Sequence, residues 1–315
     1  MSGVRTDVGS KRAFTADIRD KSRQVCAAAA GAVSVHAAFT AIGSNRVVRR
    51  IRLLPLVGLT VATAVLGIRL VLTRQAALAR RRIGKPLGED SLDADRIWRP
   101  GLDGEPIDLL LLGDSIAAGL GAERRKDTLG GRLAKGVARR MRRPVRLHTA
   151  AVVGSESPDL PAQLAALPAT YRPQVAVIIV GGNDVTHRLP VSLSAQHLNE
   201  TIRRLRGLGA EVVVGTCPDL GALRPVPQPL RRIASSMSRR LADIQAETAR
   251  HEGARPVDLR RAVGPMFFDE PEAMFSLDRF HPSALGYRRT ADALLPTVCE
   301  AMEAALSSPR PSVPN

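Results

Sequence analysis

Apolar and polar positions follow two different regimes along this chain. The first is one long apolar stretch, Leu53 to Thr73, whose 16 residues from Leu53 to Ile68 are uncharged before Arg69 interrupts. At about 1.5 Å per residue a helix over this stretch reaches roughly the 30 Å of a bilayer core, so a transmembrane helix is predicted at 53–73. A buried helix or a hairpin packed on a domain is the other solution to the same pattern. Arg46, Arg49, Arg50 and Arg52 precede it and Arg74, Arg80, Arg81, Arg82 and Lys85 follow, which favours a span. The two flanks are balanced, so they do not say which side of the membrane the rest of the chain occupies.

The second regime begins at residue 105, where short apolar runs alternate with helical periodicity. Strands are predicted at 107–112, 145–151, 175–180, 211–215 and 255–259, and helices near 129–142, 157–167, 192–208, 229–252 and 283–306. The run Ile107 to Leu112 is apolar at five of its six positions, as expected of a parallel strand covered on both faces. Such βα alternation predicts an α/β fold with a five-stranded parallel sheet between two helical layers. The expected organisation is a basic, partly disordered N-terminal region (1–52), the membrane helix (53–73), a linker (74–104), the α/β domain (105–306) and a disordered tail (307–315).

Charge changes little in this picture. The formal net charge is +16, but residues 1–100 hold 18 Lys and Arg against 7 Asp and Glu, leaving 28 against 23 for the rest. No zinc-finger spacing or aromatic RNA-binding pattern accompanies the excess, so nucleic acid is not an expected partner. The helix near 129–142 has an apolar face (Leu129, Leu133, Val137, Met141) and a basic one (Arg132, Lys135, Arg139, Arg143), read either as a solvated face or as a surface for anionic lipid headgroups. Three widely spaced cysteines, Cys26, Cys217 and Cys299, suggest neither a disulfide framework nor a metal site. Oligomeric state is not readable.

The chemistry sits at the ends of the predicted strands. Gly113-Asp114-Ser115 follows the first, Gly154 the second, Gly181-Gly182-Asn183-Asp184 the third, and Asp278-Arg279-Phe280-His281-Pro282 precedes the last helix. Ligands bind at the carboxyl edge of such sheets, which makes Ser115 a candidate nucleophile. A serine hydroxyl needs a base, and imidazole has a suitable pKa. His281 is preferred over His187, the one rival near a strand end, because Asp278 lies three residues before it and can orient its ring through Nδ1.

The order and spacing of these blocks resemble the SGNH (GDSL) hydrolases over roughly residues 105–300. The resemblance implies a flavodoxin-like three-layer sandwich and a cofactor-free serine esterase or lipase. It makes Ser115 the nucleophile, His281 the base and Asp278 its orienting group. It also assigns an oxyanion hole to the N–H groups of Ser115 and Gly154 and the amide of Asn183, with Asp114 and Asp184 supporting. The second block departs from the family, reading Ala151-Val152-Val153-Gly154 without the asparagine often found ahead of that glycine. The expected function is membrane-tethered hydrolysis of an acyl ester, on a lipid or a glycan. An O-acyltransferase with the same three residues, and a silent binding module, are the alternatives. Phe267, Phe268, Phe275 and Phe280 form either an acyl pocket or loop core, and the loop from Cys217 to Pro229 is expected to wall the crevice.

Overall fold

The computed structural model describes residues 45–88 and 90–307, with side chains from residue 59 onward. The expectations for residues 1–44, Cys26 among them, and for 308–315 lie outside the described residues. The first element is one helix, α1, Asn45–Ile83. It continues beyond the expected end at Thr73, carried by the helix-favouring run Gln75-Ala76-Ala77-Leu78-Ala79, and closes on Arg80, Arg81 and Arg82, cations that suit a helix C-terminus. Within it, Leu59–Ile83 is long and apolar enough to cross a membrane. Thr63 onward forms one compact unit with the rest of the chain.

Among the described residues, six strands make one sheet in the order β1-β3-β2-β4-β5-β6. Five of them are parallel: β2 (Ile107–Gly113), β3 (Val145–Thr149), β4 (Val175–Ile179), β5 (Glu211–Gly215) and β6 (Arg255–Val257). The sixth, β1 (Arg96–Trp98), lies inside the stretch expected as linker and pairs antiparallel with β3 at the sheet edge. Its three residues bury only Trp98, too little for a periodic signal. The parallel strands alone follow the flavodoxin-like order.

Alternate residues of the central strands feed two cores, as the period of two requires. Leu109, Leu111, Val175, Val177 and Ile179 face Leu129, Leu133 and Val137 of the helix Leu129–Met141 and Leu294 and Val298 of the last helix, Ala284–Ser307. Leu110, Leu112, Ala176 and Ile178 face Leu160 and Leu164 of the helix Leu160–Ala165 and Leu198, Ile202 and Leu205 of Val191–Gly207. Helices therefore cover both faces in a three-layer α/β/α sandwich. The basic stripe on Leu129–Met141 is largely spent within the domain. Arg132 bonds Asp127 (2.8 Å) and the Ala284 carbonyl (2.9 Å), Lys135 sits 5.4 Å over the Trp98 ring, and Arg143 bonds the Glu105 carbonyl (2.7 Å). Of the four, Arg139 is the exposed one, and Arg132 alone is paired with a carboxylate.

The sheet has one switch point. After β2 the chain first adds β3 on one side and then β4 on the other, so the loops leaving β2 and β4 diverge and open a crevice at their carboxyl ends.

Candidate active site

β2 ends at Gly113, whose φ of +132° and position leave no alternative to glycine, since a Cβ there would stand 1.8 Å from the Ile179 carbonyl oxygen. This close pass lets the Asp114 N–H reach the same carbonyl (3.0 Å) and turns the chain sharply into the short helix Ser115–Ala118. Asp114 caps that helix, its Oδ1 accepting from the Ile116 N–H at 2.9 Å. It is 2% exposed, and burial pushes its carboxyl up to about 6 against the pull of the Ile116 N–H and of His281.

The opposite wall is the turn before the last helix. Asp278 folds it: Oδ1 accepts from the N–H groups of Phe280 (2.9 Å) and His281 (3.0 Å), and Arg279 takes a left-handed φ of 55°. The carboxylate's other oxygen is left for His281 Nδ1 at 2.6 Å, and His281 Nε2 stands 2.9 Å from Ser115 Oγ. Burial works against the Asp278 carboxylate, yet the hydrogen bonds from His281 and Phe280 outweigh it and hold its pKa below the usual value. An ionised carboxylate only accepts, so Nδ1 carries the ring proton and Nε2 accepts from the serine hydroxyl. Tyr287, fully buried on the last helix, donates to the Leu120 carbonyl (2.6 Å) and so ties the serine side of the crevice to the histidine side.

Between β4 and the following helix, Gly182–His187, lie Asn183 and Asp184. Asn183 lines the same cavity as Ser115 and His281, and one N–H of its amide bonds the Ser155 carbonyl at 2.9 Å. Asp184, 1% exposed, takes both the N–H (2.8 Å) and the hydroxyl (2.5 Å) of Ser157. His187 touches Glu156 at the exposed rim, away from the serine. Gly154 occupies a turn at φ +88°, is solvent-exposed, and lines a neighbouring hollow rather than the cavity that holds Ser115. Its tie to the serine is indirect, through Ser155 and Asn183.

Two residues without a sequence signal complete the scaffold. Gln163, 5% exposed, accepts from the Gly113 N–H (2.9 Å) and donates to the Gly113 carbonyl (2.8 Å) and to Ser155 Oγ (3.0 Å). Gln245 joins the ends of β4 and β5, donating to Val180 O (2.9 Å) and accepting from Cys217 N (2.7 Å). Beside the serine opens an apolar cavity of about 70 Å³ walled by Leu220, Leu223, Val263, Phe267, Phe275 and Phe280. Three of the four phenylalanines thus face the cavity, as does the Pro218–Leu223 part of the proline-rich loop. No cluster of metal-ligating side chains occurs among the described residues.

An α/β/α sheet with an alcohol in contact with an imidazole at its switch point, beside an apolar cavity, is the arrangement of an ester hydrolase. The GDSL-like Lipase/Acylhydrolase family matches residues 111–289. The GDSL-like esterase Rv1075c of Mycobacterium tuberculosis (strain ATCC 25618 / H37Rv) is 38% identical over 265 residues, spanning 80% of this chain and 83% of that protein. Two examples stand for the solved structures that share the fold. LAE5, an alpha/beta hydrolase enzyme from the metagenome of Lake Arreo, Spain, has a TM-score of 0.51 at 19% identity, covering 65% of this chain and 99% of its own. The acetyl xylan esterase AlAXEase has a TM-score of 0.50 at 20% identity, covering 61% and 100%. The chain belongs to the GDSL-like lipase/acylhydrolase family and is an ester hydrolase.

Proposed function

We propose that this protein is a membrane-anchored serine esterase that works through an acyl-enzyme with Ser115, His281 and Asp278 as its reacting and orienting groups. The observation that carries this is the unbroken series from Asp278 Oδ2 to His281 Nδ1 (2.6 Å) and from His281 Nε2 to Ser115 Oγ (2.9 Å). As Ser115 Oγ attacks the ester carbonyl carbon, its proton passes to Nε2, and Asp278 stabilises the imidazolium that forms. The carbonyl oxygen becomes an oxyanion. The N–H of Ser115, at the start of a helix where backbone donors lack intrahelical partners, and the second N–H of the Asn183 amide are its expected donors. Gly154 is the third donor, provided its exposed turn closes on the substrate. The intermediate collapses with proton transfer from His281 to the leaving alkoxide, giving the alcohol and acyl-Ser115. His281 then deprotonates water for the second half, releasing the carboxylic acid.

The cavity wall of leucine, valine and phenylalanine suits an apolar acyl chain. Anchoring is supported by α1, where Val65, Leu66, Ile68, Leu70 and Val71 are exposed and arginines follow at Arg74 and Arg80–Arg82. The test is turnover of a 4-nitrophenyl ester by the full chain and by Ser115→Ala, with retention in the membrane pellet after alkaline carbonate. Turnover that survives the substitution defeats the assignment of the nucleophile, and release from the pellet defeats the anchor.

A further inference from the structure

The distal turns of α1 do not trail away from the catalytic domain. Leu72, Gln75, Ala76, Ala79 and Ile83 recur at helical spacing, Ala79 buried and the other four partly so, whereas Val65 to Val71 stay exposed. The shielded face is pinned by specific bonds. Gln75 donates to the Gln228 carbonyl (2.6 Å) and accepts from the Leu230 N–H (3.0 Å), and Arg82 reaches the Pro225 carbonyl (3.4 Å). Ala79, 6% exposed, belongs to one apolar cluster with Leu220, Leu223 and Val226, against which Phe275 and Phe280 pack. Four of these, Leu220, Leu223, Phe275 and Phe280, also wall the cavity beside Ser115. The anchor helix and the acyl cavity therefore share a wall.

From this we infer that the Thr63–Ile83 part of α1 is a rigid strut seating the esterase domain on an anionic leaflet, and that its substrate is an acyl ester resident in that leaflet. The inference rests on the membrane-anchored esterase reading. Val71, where the continuous exposed apolar run ends, lies four positions before Gln75, which bonds the domain, or about 6 Å along a helix. The headgroup layer is roughly that thick, so Gln228 and Leu230 meet the helix at headgroup depth. The surface presented there combines cations, the exposed Arg74, Arg80, Arg81, Arg224 and Arg232, with an exposed apolar side chain, Ile233. That combination fits anionic headgroups above acyl chains. On the turn that joins the cavity-wall residues Phe275 and Phe280, Leu277 is 79% exposed and presents an apolar side chain at the surface. A chain leaving the leaflet can thus pass along apolar surface to Ser115.

The test inserts a flexible Gly/Ser segment of about 15 residues between Thr73 and Arg74, upstream of the Gln75, Ala79 and Arg82 contacts. Such a segment spans roughly 20 Å and lets the domain lift off while Gln75, Ala79 and Arg82 keep their partners. Full-length protein and the insertion variant are reconstituted in phosphatidylglycerol-containing vesicles. They are assayed with soluble 4-nitrophenyl butyrate and with a fluorogenic diacylglycerol held in the bilayer. The expected result is soluble-ester turnover within twofold of the parent and a loss on the order of tenfold for the bilayer ester. Equal turnover of both esters by the two proteins, or an equal fall on both, overturns the strut. Ser115→Ala in the same vesicles isolates the underlying reading: if it still cleaves the soluble ester, the esterase assignment fails whatever the insertion does.

Discussion

Gln163 is the test of whether the crevice is held together as described, because its single side chain bonds both polar groups of Gly113 and reaches the loop behind Gly154. Gln163→Leu fills nearly the same space with no polar atom, leaving the Gly113 N–H and carbonyl without these partners in a buried setting. The Gly113 carbonyl keeps the Val152 N–H (3.1 Å), so the one group orphaned is the Gly113 N–H, at a cost of ~1–3 kcal/mol of folding stability. A domain of this kind has about 5–15 kcal/mol to lose, so the variant folds and can be assayed. Because Gly113 sets the direction of Asp114 and Ser115, a shift of about 1 Å at the serine lowers kcat on the order of 10–100-fold, with KM changed less. Chemical unfolding of the solubilised full chain followed by near-UV circular dichroism gives the first quantity and 4-nitrophenyl butyrate turnover the second. Gln163→Glu adds a control: its ionised carboxylate repels the Gly113 carbonyl, while the protonated acid can donate to it. Its stability relative to the parent therefore rises as pH falls from 7 to 5. A Leu variant within about 0.5 kcal/mol and twofold of the parent, a level typical of surface changes, refutes the reasoning.

Asp114 sets a pH dependence of stability. Its folded pKa of about 6 lies above the ordinary 3.8, so the folded state binds the proton more tightly than the unfolded state, and stability falls as pH rises through that window. The difference amounts to about 3 kcal/mol lost by pH 7, read as a shrinking advantage of the parent over Asp114→Asn between pH 4 and 6.5; an advantage independent of pH contradicts it. Asp278→Asn leaves the turn able to form but removes the acceptor that fixes the His281 tautomer, and kcat for 4-nitrophenyl butyrate should fall on the order of 10⁴-fold. Asn183→Ala removes one oxyanion donor and the tie to the Ser155 carbonyl. Its expected cost is about 10²–10³ in kcat with little change in KM, and a change confined to KM argues against the oxyanion role.

Much of this architecture can be read from the chain itself, for physical reasons. Ile107–Gly113 is covered on both faces, so a run apolar at every position but Asp108 announces it, and the Asp-x-x-His spacing closes its own turn through local hydrogen bonds. What stayed hidden acts at long range or over few residues. Arg96–Trp98 is too short to show a period, and a lone glutamine such as Gln163 says nothing of a backbone 50 residues away. Asp184, expected to support the site, does so at a distance the sequence hides: its carboxylate grips Ser157 and so joins the loop of Asn183 to the loop that carries Gly154. Gly154 itself faces a neighbouring hollow, which local sequence cannot reveal because the direction of a turn depends on what it packs against.

Covalent capture of the nucleophile bears most directly on the whole account. Full-length protein treated with a fluorophosphonate and digested should carry a single adduct, on Ser115. The label should be lost in Ser115→Ala and formed far more slowly in His281→Ala, whose serine has no base. Stoichiometric labelling at any other residue, or labelling of Ser115 at the parent rate without His281, would contradict it.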